Sequence, residues 1–133
     1  MTYQLDIVAA DGVKFSGQVT RVMVRTSVGD VAILPRHINY VTTVAMGEAK
    51  IYLEDGTIRN AACIGGMLAV TDGAVKLVPT TFEWSEDIDM ERVKQSMDKA
   101  NDVLAQRADQ SDVDIAMAEA RLKRALVRQI VGK

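Results

Sequence analysis

Val75-Lys-Leu-Val-Pro-Thr-Thr-Phe-Glu-Trp84 runs directly into Ser85-Glu-Asp-Ile-Asp-Met-Glu-Arg-Val93, and the chain changes character at that join. Before it, Val75 and Leu77 fall on one side and Lys76 on the other, the two-residue period of a strand. After it, Met90, Val93, Met97, Ala100 and Leu104 follow one another at spacings of 3, 4, 3 and 4, a single helical stripe. Punctuation changes at the same place. Eight of the nine glycines and both prolines, Pro35 and Pro79, lie before it; only Gly132 lies after it. Glycine and proline mark turns and are expelled from helix interiors. The sequence therefore predicts a β part over 1–84 and a helical part over 85–133.

Working back from the join, three Asp-Gly pairs divide the first part: Asp11-Gly12, Asp55-Gly56 and Asp72-Gly73. Asp-Gly supplies the positive φ that tight hairpin turns demand. Around them lie alternating or β-branched runs: Tyr3 to Val8, Gln18 to Thr26, Val31 to Leu34, Tyr40 to Ala45, Lys50 to Leu53, Ile58 to Ile64, Met67 to Val70 and Val75 to Val78. Eight or more short strands in about 80 residues predict a sandwich or flattened barrel rather than alternating strands and helices. Gly65-Gly66 is followed by no Lys-Ser/Thr and opens no helix, so it reads as a bulge or close backbone contact, not a phosphate loop.

Working forward, Glu86, Asp87, Asp89 and Glu91 suit the positive end of a first helix, with Ser85 or Asp87 as its cap. A break is expected at 107–111. Ser111-Asp-Val-Asp114 then reads as a second helix start, and Ile115, Ala118, Leu122, Ala125, Leu126 and Ile130 as its apolar stripe. A short connection makes the pair an antiparallel hairpin. The expected class is α+β: a sandwich, then a hairpin whose thin stripes must pack on something else. Such an element is suited to detaching and docking again.

Composition narrows the function. The chain has 133 residues, 48% hydrophobic and 26% charged, the make-up of a folded globule. A net charge of -2 argues against nucleic acid as a partner, because neutralising phosphates takes a basic surface. One cysteine precludes an intramolecular disulfide, and one histidine precludes a site needing two imidazoles. No apolar run approaches the roughly 20 residues of a membrane helix, so no direct membrane insertion is expected. The opening Met-Thr-Tyr-Gln-Leu-Asp has no basic and then apolar leader pattern, an intracellular-type expectation.

Candidate chemistry is sparse. His37 has no neighbouring nucleophile or acid and reads as a loop side chain bonded to backbone. Cys63, inside Ala61-Ala62-Cys63-Ile64, reads as a buried small hydrophobe. Arg121, Arg124 and Arg128, at spacings of 3 and 4, share a helix face. They read as a solvated face matched to the helix dipole, or as an anion-binding face, since guanidinium groups grip oxyanions bidentately. Asp89 and Arg92 read most simply as a surface ion pair.

Several stretches together resemble the epsilon subunit of bacterial and chloroplast F-type ATP synthases. They are Leu5-Asp-Ile-Val-Ala-Ala-Asp-Gly12, Phe15-Ser-Gly17, Gly29-Asp-Val-Ala-Ile-Leu-Pro-Arg-His37, Gly47, Gly65-Gly66-Met67, Asp87-Ile-Asp-Met-Glu-Arg92 and Leu122-Lys-Arg-Ala-Leu-Val-Arg128. The resemblance implies a ten-stranded β-sandwich followed by a helical hairpin, in a non-catalytic rotor subunit. Its implied partners are the gamma subunit, the c-subunit ring and, when the hairpin extends, the catalytic alpha/beta head. The hairpin would block ATP hydrolysis, with Arg121, Lys123, Arg124 and Arg128 meeting acidic groups in the head. The complex would couple proton or sodium flow to ATP synthesis, peripherally on the cytoplasmic face of a bacterial membrane or the stromal face of the thylakoid. No cofactor is required. Some family members bind regulatory ATP through a first-helix motif, Ile/Leu-Asp-x-x-Arg-Ala, and second-helix arginines. The matching positions are Ile88, Asp89, Arg92 and Val93, with Arg124 and Arg128. Val93 stands where that motif has Ala, Ala32 where Gly is usual and Arg36 where Gly or Asn is usual.

The alternative from another class is a stand-alone ligand-binding sandwich with a helical oligomerisation hairpin. It predicts an exposed aromatic platform, for which the chain offers only Trp84, three Tyr and two Phe. A hydrolytic enzyme is a poorer reading, because no paired acids or nucleophile constellation can be named.

Overall fold

Asp72 and Gly73 join two long strands with φ of 51° and 85°. Two consecutive positive φ values define the hairpin turn whose twist matches that of the strands it links. The computed structural model, which describes residues 1–106 and 110–132, contains seven strands. They are β1 (Tyr3–Ala9), β2 (Gly12–Thr26), β3 (Gly29–Ile33), β4 (Tyr40–Val44), β5 (Gly47–Leu53), β6 (Ile58–Thr71) and β7 (Ala74–Trp84). The other two Asp-Gly pairs also lie at strand junctions, β1–β2 and β5–β6. At the second of these, Asp55 Oδ1 accepts from the Thr57 amide at 2.9 Å.

Seven continuous strands replace the ten that the resemblance implies, and the reason is where the long ones bend. Residues 12–19 of β2 pair with β1, whereas residues 19–26 pair with β5 and β3, with a register shift between Val19 and Arg21. In β6, residues 58–63 pair with β5 and residues 66–70 with β4. β7 follows β6 through the same corner, and residues 75–77 pair in parallel with β1. Thus β2, β6 and β7 each serve both layers, and ten strand segments result. The β6 corner is Gly65-Gly66, at φ of 75° and 126°. A Cβ on Gly66 would strike the Val78 carbonyl and the Pro79 Cα. The pair is the close backbone contact expected from sequence.

Between the layers lies one core. Leu5, Ile7, Leu68, Val70 and Leu77 meet Val22, Val24, Ile33 and Ile51, all nearly inaccessible to solvent. The Tyr3 hydroxyl on β1 donates to the Ile33 carbonyl on β3 at 2.6 Å, and burial pushes its phenol well above the ordinary range. Phe82 and Trp84 stack edge to face at 4.9 Å, with Phe15 at 6.3 Å from Trp84. Tyr3, Phe82 and Trp84 are buried, and Phe15, Tyr40 and Tyr52 are partly buried. The exposed aromatic platform of the ligand-binding alternative is absent among the described residues.

A single 3-10 turn (Ser85–Asp87) leads to α1 (Met90–Ala105) and α2 (Asp112–Val131). The first helix starts later than expected. Its N-cap is Asp89, which accepts from the Glu91 and Arg92 amides at 3.1 and 3.2 Å; Ser85 and Asp87 belong to the preceding turn. Ile88 is extended and buried between turn and helix, which separates the two. The second start is as expected, with Ser111 Oγ accepting from the Asp114 amide at 3.1 Å. The expected break at 107–111 falls partly on 107–109, outside the described residues. The small residues Ala100, Ala118 and Ala125 are buried where the helices approach each other. Leu126 and Ile130, expected on the buried stripe, are exposed; Val131 is buried in their place.

Candidate functional site at the seam between sandwich and hairpin

The hairpin has its own apolar contact, separate from the sandwich core. Ala62 on the outer face of β6 meets Ile88, Val93, Ala125 and Val131, with Met90, Met97 and Val127 at the edge. Beside this cluster opens a cavity of about 320 Å³, lined by Glu83, Asp87, Asp89, Arg92, Val93, Ser96, Ala125 and Arg128. Three of the positions singled out on the first helix, Asp89, Arg92 and Val93, line it, and Arg128 joins them from the second. Ile88 lies in the adjoining apolar cluster. Arg124 is half-buried on α2 and is not among the lining residues. Buried Ala125 faces the seam and Arg128, three residues on, flanks it there; Arg124 flanks Arg128 on the other side, about 100° round the helix from Ala125, and falls outside.

Each side chain is held by local structure. Asp89 caps α1, so one carboxylate oxygen is already engaged by two backbone amides. Val93 is buried between the helices and the sheet, in one cluster with Ala62, Ala125 and Val131. Arg128 Nε donates to Glu83 Oε1 at 3.0 Å, across 45 residues. Glu83 carries no sequence motif, although the burial of Phe82 and Trp84 on either side of it directs it outward. Asp87, Ser96 and Ala125 are further lining residues that the motif did not supply.

The lining holds three carboxylates, Glu83, Asp87 and Asp89, against two guanidinium groups, Arg92 and Arg128. An anion entering here meets cations suited to bidentate binding and also a surplus of like charge. Arg121 lies elsewhere, in a groove of about 280 Å³ with Ala100, Val103 and Met117; Lys123 is exposed. Among the described residues no group of His, Cys, Asp and Glu could hold a metal ion. His37 Nδ1 donates to the Ile38 carbonyl at 2.8 Å, the backbone role expected of it. Cys63 is buried, and burial pushes its thiol up to about 12, as befits an inert core residue.

The linker is fastened at its root. Arg59 Nη2 donates to Glu86 Oε1 at 2.6 Å, and its guanidinium sits 3.7 Å from the Trp84 ring centroid. The Glu86 carboxyl lies below its usual range because its own backbone amide, and then Arg59, favour the charged form.

The sandwich-then-hairpin plan has known counterparts. A family profile described as "ATP synthase, Delta/Epsilon chain, beta-sandwich domain" matches residues 2–85, and one described as "ATP synthase, Delta/Epsilon chain, long alpha-helix domain" matches residues 86–129. The chain belongs to the ATP synthase delta/epsilon family. Within the family, it is 36% identical over 127 residues to the ATP synthase epsilon chain of Bacillus velezensis, covering 96% of this chain and 94% of that one. It is 33% identical over 129 residues to the ATP synthase epsilon chain of Thioalkalivibrio sulfidiphilus, covering 96% and 90%. The fold is shared with a chain of the Euglena gracilis mitochondrial ATP synthase, in a structure of its OSCP, F1 and c-ring. The TM-score is 0.84 at 21% identity, over 97% of this chain and 80% of that one. A chain of the Tetrahymena thermophila mitochondrial ATP synthase central stalk and c-ring aligns with TM-score 0.60 at 12% identity, over 100% and 98%. Delta/epsilon-family membership replaces the stand-alone ligand-binding alternative. Among the described residues, no helix is long and apolar enough to cross a membrane.

Proposed function

We propose that this epsilon-type chain is a non-catalytic rotor subunit, peripheral to the membrane on the cytoplasmic face of a bacterial cell. Its sandwich docks on the gamma subunit and the c-subunit ring, and its hairpin leaves the sandwich to restrain ATP hydrolysis in the catalytic head. The observation that carries the reading is the separation of the two apolar clusters. The core within residues 3–84 closes without any hairpin residue, and the hairpin is held by a second, small cluster around Ala62. A docked element with its own contact can leave without opening the core. Leu126, Ile130 and Met117 are exposed on α2, and Arg121, Lys123, Arg124 and Arg128 supply the charge for an acidic surface.

For the sandwich, an exposed apolar row supports docking on another protein. Val78, Met67 and Thr43 are aligned by register across β7, β6 and β4, with Val41 alongside. Val41, Met67 and Val78 are about half exposed or more. Regulatory ATP would enter the seam cavity, its phosphates against Arg92 and Arg128 and its base beside Val93 and Ala125.

The deciding experiment is an ATPase assay on the cognate complex carrying the full chain or a chain ending at Trp84. Higher hydrolysis with the short chain, at matched subunit content, is expected. Equal rates would sink the inhibitory role. Titration calorimetry with ATP tests the seam: Arg128→Ala and Arg92→Ala should weaken whatever affinity the full chain has.

A further inference from the structure

We propose that Glu83 and Arg128 form a latch that sets how readily the hairpin leaves the sandwich, with Ile88-Asp89 as the hinge and Arg59 as the anchor of the fixed side. The inference deepens the reading of the hairpin as detachable and rests on it. Three observations in different parts of the fold carry it.

The first is the place of the ion pair. Glu83 is the outward residue between buried Phe82 and Trp84, and its register partner on β6 is Ala62. Ala62 is the sandwich residue that the hairpin covers, so the carboxylate stands at the margin of the docking contact. Arg128 lies one turn from the end of α2, between Ala125 and Val131 of the same contact. Every separation of hairpin from sheet therefore breaks the 3.0 Å bond.

The second is access. The pair stands between two cavities of about 320 and 330 Å³ that share Glu83, Asp87 and Arg128. Arg128 keeps 27% and Glu83 35% of its side-chain surface exposed. Mobile ions reach them, so the bond weakens as salt rises.

The third is what does not have to break. Arg59, Trp84 and Glu86 tie the linker root to β6, all on the sandwich side of Ile88. Ile88 and Asp89 are extended, at ψ of 121° and 101°, between the 3-10 turn and α1. A rotation absorbed there carries Arg128 away and leaves Glu83 and the root in place.

The test is amide hydrogen exchange across α2 in the isolated full chain. Glu83→Gln and Arg128→Gln should each speed α2 exchange by about two- to fivefold, the range expected of a partly exposed pair. Exchange in the sandwich should stay as in the unmutated chain. The reversed pair, Glu83→Arg with Arg128→Glu, should recover most of the loss. Raising salt should speed α2 exchange in the unmutated chain and much less in Glu83→Gln. The proposal is overturned if Glu83→Gln leaves α2 exchange unchanged, or if the salt response survives that substitution in full. The ATPase assay on the truncated chain judges inhibition separately. A salt-sensitive latch with equal ATPase rates would retain the device and discard the inhibitory role.

Discussion

Arg59 on β6 is stacked on Trp84, the last residue of β7, with its guanidinium 3.7 Å from the ring centroid. The same guanidinium holds Glu86 in the turn that follows. One cation thereby closes the sandwich edge and fixes the direction in which the chain leaves it. Arg59→Ala should cost about 1 kcal/mol, most of it from the lost cation–π contact. Arg59→Lys should cost less, because it keeps a cation while losing the planar stack. Urea unfolding of the full chain, followed by Trp84 fluorescence, measures both. Equal midpoints for all three proteins would remove Arg59 from the account of the linker.

Two glycines with positive φ should respond differently to alanine. At Gly73 an added methyl would stand in open space, with nothing within 4 Å, so Gly73→Ala meets only backbone strain, about 1 kcal/mol. At Gly66 the methyl would meet the backbone of Val78 and Pro79, which cannot swing aside. Gly66→Ala should therefore cost roughly 3 kcal/mol or more, by forcing apart strands that turn the corner together. Thermal melts should rank Gly66→Ala well below Gly73→Ala. The reverse order would mean that the corner relaxes freely.

The same corner explains what the sequence made legible. Asp-Gly pairs and alternation locate the strand runs, because both signals are local. Ile58 to Ile64 and Met67 to Val70 read as two strands, since Gly65-Gly66 looks like a break; the close approach of Pro79 turns it into a bend within β6. Asp89 is legible as a motif residue but not as the cap, because Ser85, Asp87 and Asp89 all precede the stripe and only burial of Ile88 chooses among them. The seam is half legible. Asp89, Arg92 and Val93 share one helix, whereas Glu83 reaches Arg128 across 45 residues and leaves no local pattern.

Alkali should unfold the protein through Cys63 and Tyr3. Both are buried and both have folded-state values raised by burial, Cys63 to about 12 from 9.0. A raised folded value means that the unfolded chain gives up its proton first. The stability that keeping Cys63 protonated contributes is therefore full below about pH 9 and is lost as pH rises towards 12; the Tyr3 contribution falls in the same direction at higher pH. Cys63→Ala should flatten the first part of that decline. Consistent with this, a thiol reagent at pH 8 should modify Cys63 only in denaturant; rapid labelling of the native chain would contradict the burial argument.

Capping and ligand roles at Asp89 can be separated by charge. Asparagine caps a helix about as well as aspartate, whereas alanine loses the cap at a cost of about 1 kcal/mol. Asp89→Ala should fray the first turn of α1, read as faster exchange of the Glu91 and Arg92 amides. Asp89→Asn should leave those amides protected and remove one of the three cavity carboxylates. If the seam takes an anion, its affinity should then rise. Frayed amides in Asp89→Asn would mean that the carboxylate charge, not the hydrogen bond, holds the helix start.

Val93 links docking of the hairpin to the volume of the seam cavity. It is 6% exposed, packs with Ala62, Ala125 and Val131, and also lines the cavity. Val93→Ala removes two methyls from both roles. The lost contact should weaken docking by about 1.5 kcal/mol, at about 0.8 per buried methyl. Without ligand, helical signal should therefore melt earlier and α2 amides should exchange faster. The vacated space lies where the related motif carries alanine, so ATP bound in the seam as proposed would gain room against Ala125. The expected pattern is a lower hairpin melting temperature without ATP and a larger upward shift with saturating ATP than the unmutated chain gives. Loss of docking with an unchanged ATP shift would mean that Val93 serves packing alone. An unchanged melt without ATP would mean that the hairpin does not depend on the Ala62 cluster, and with it the argument for a separate docking contact would fall.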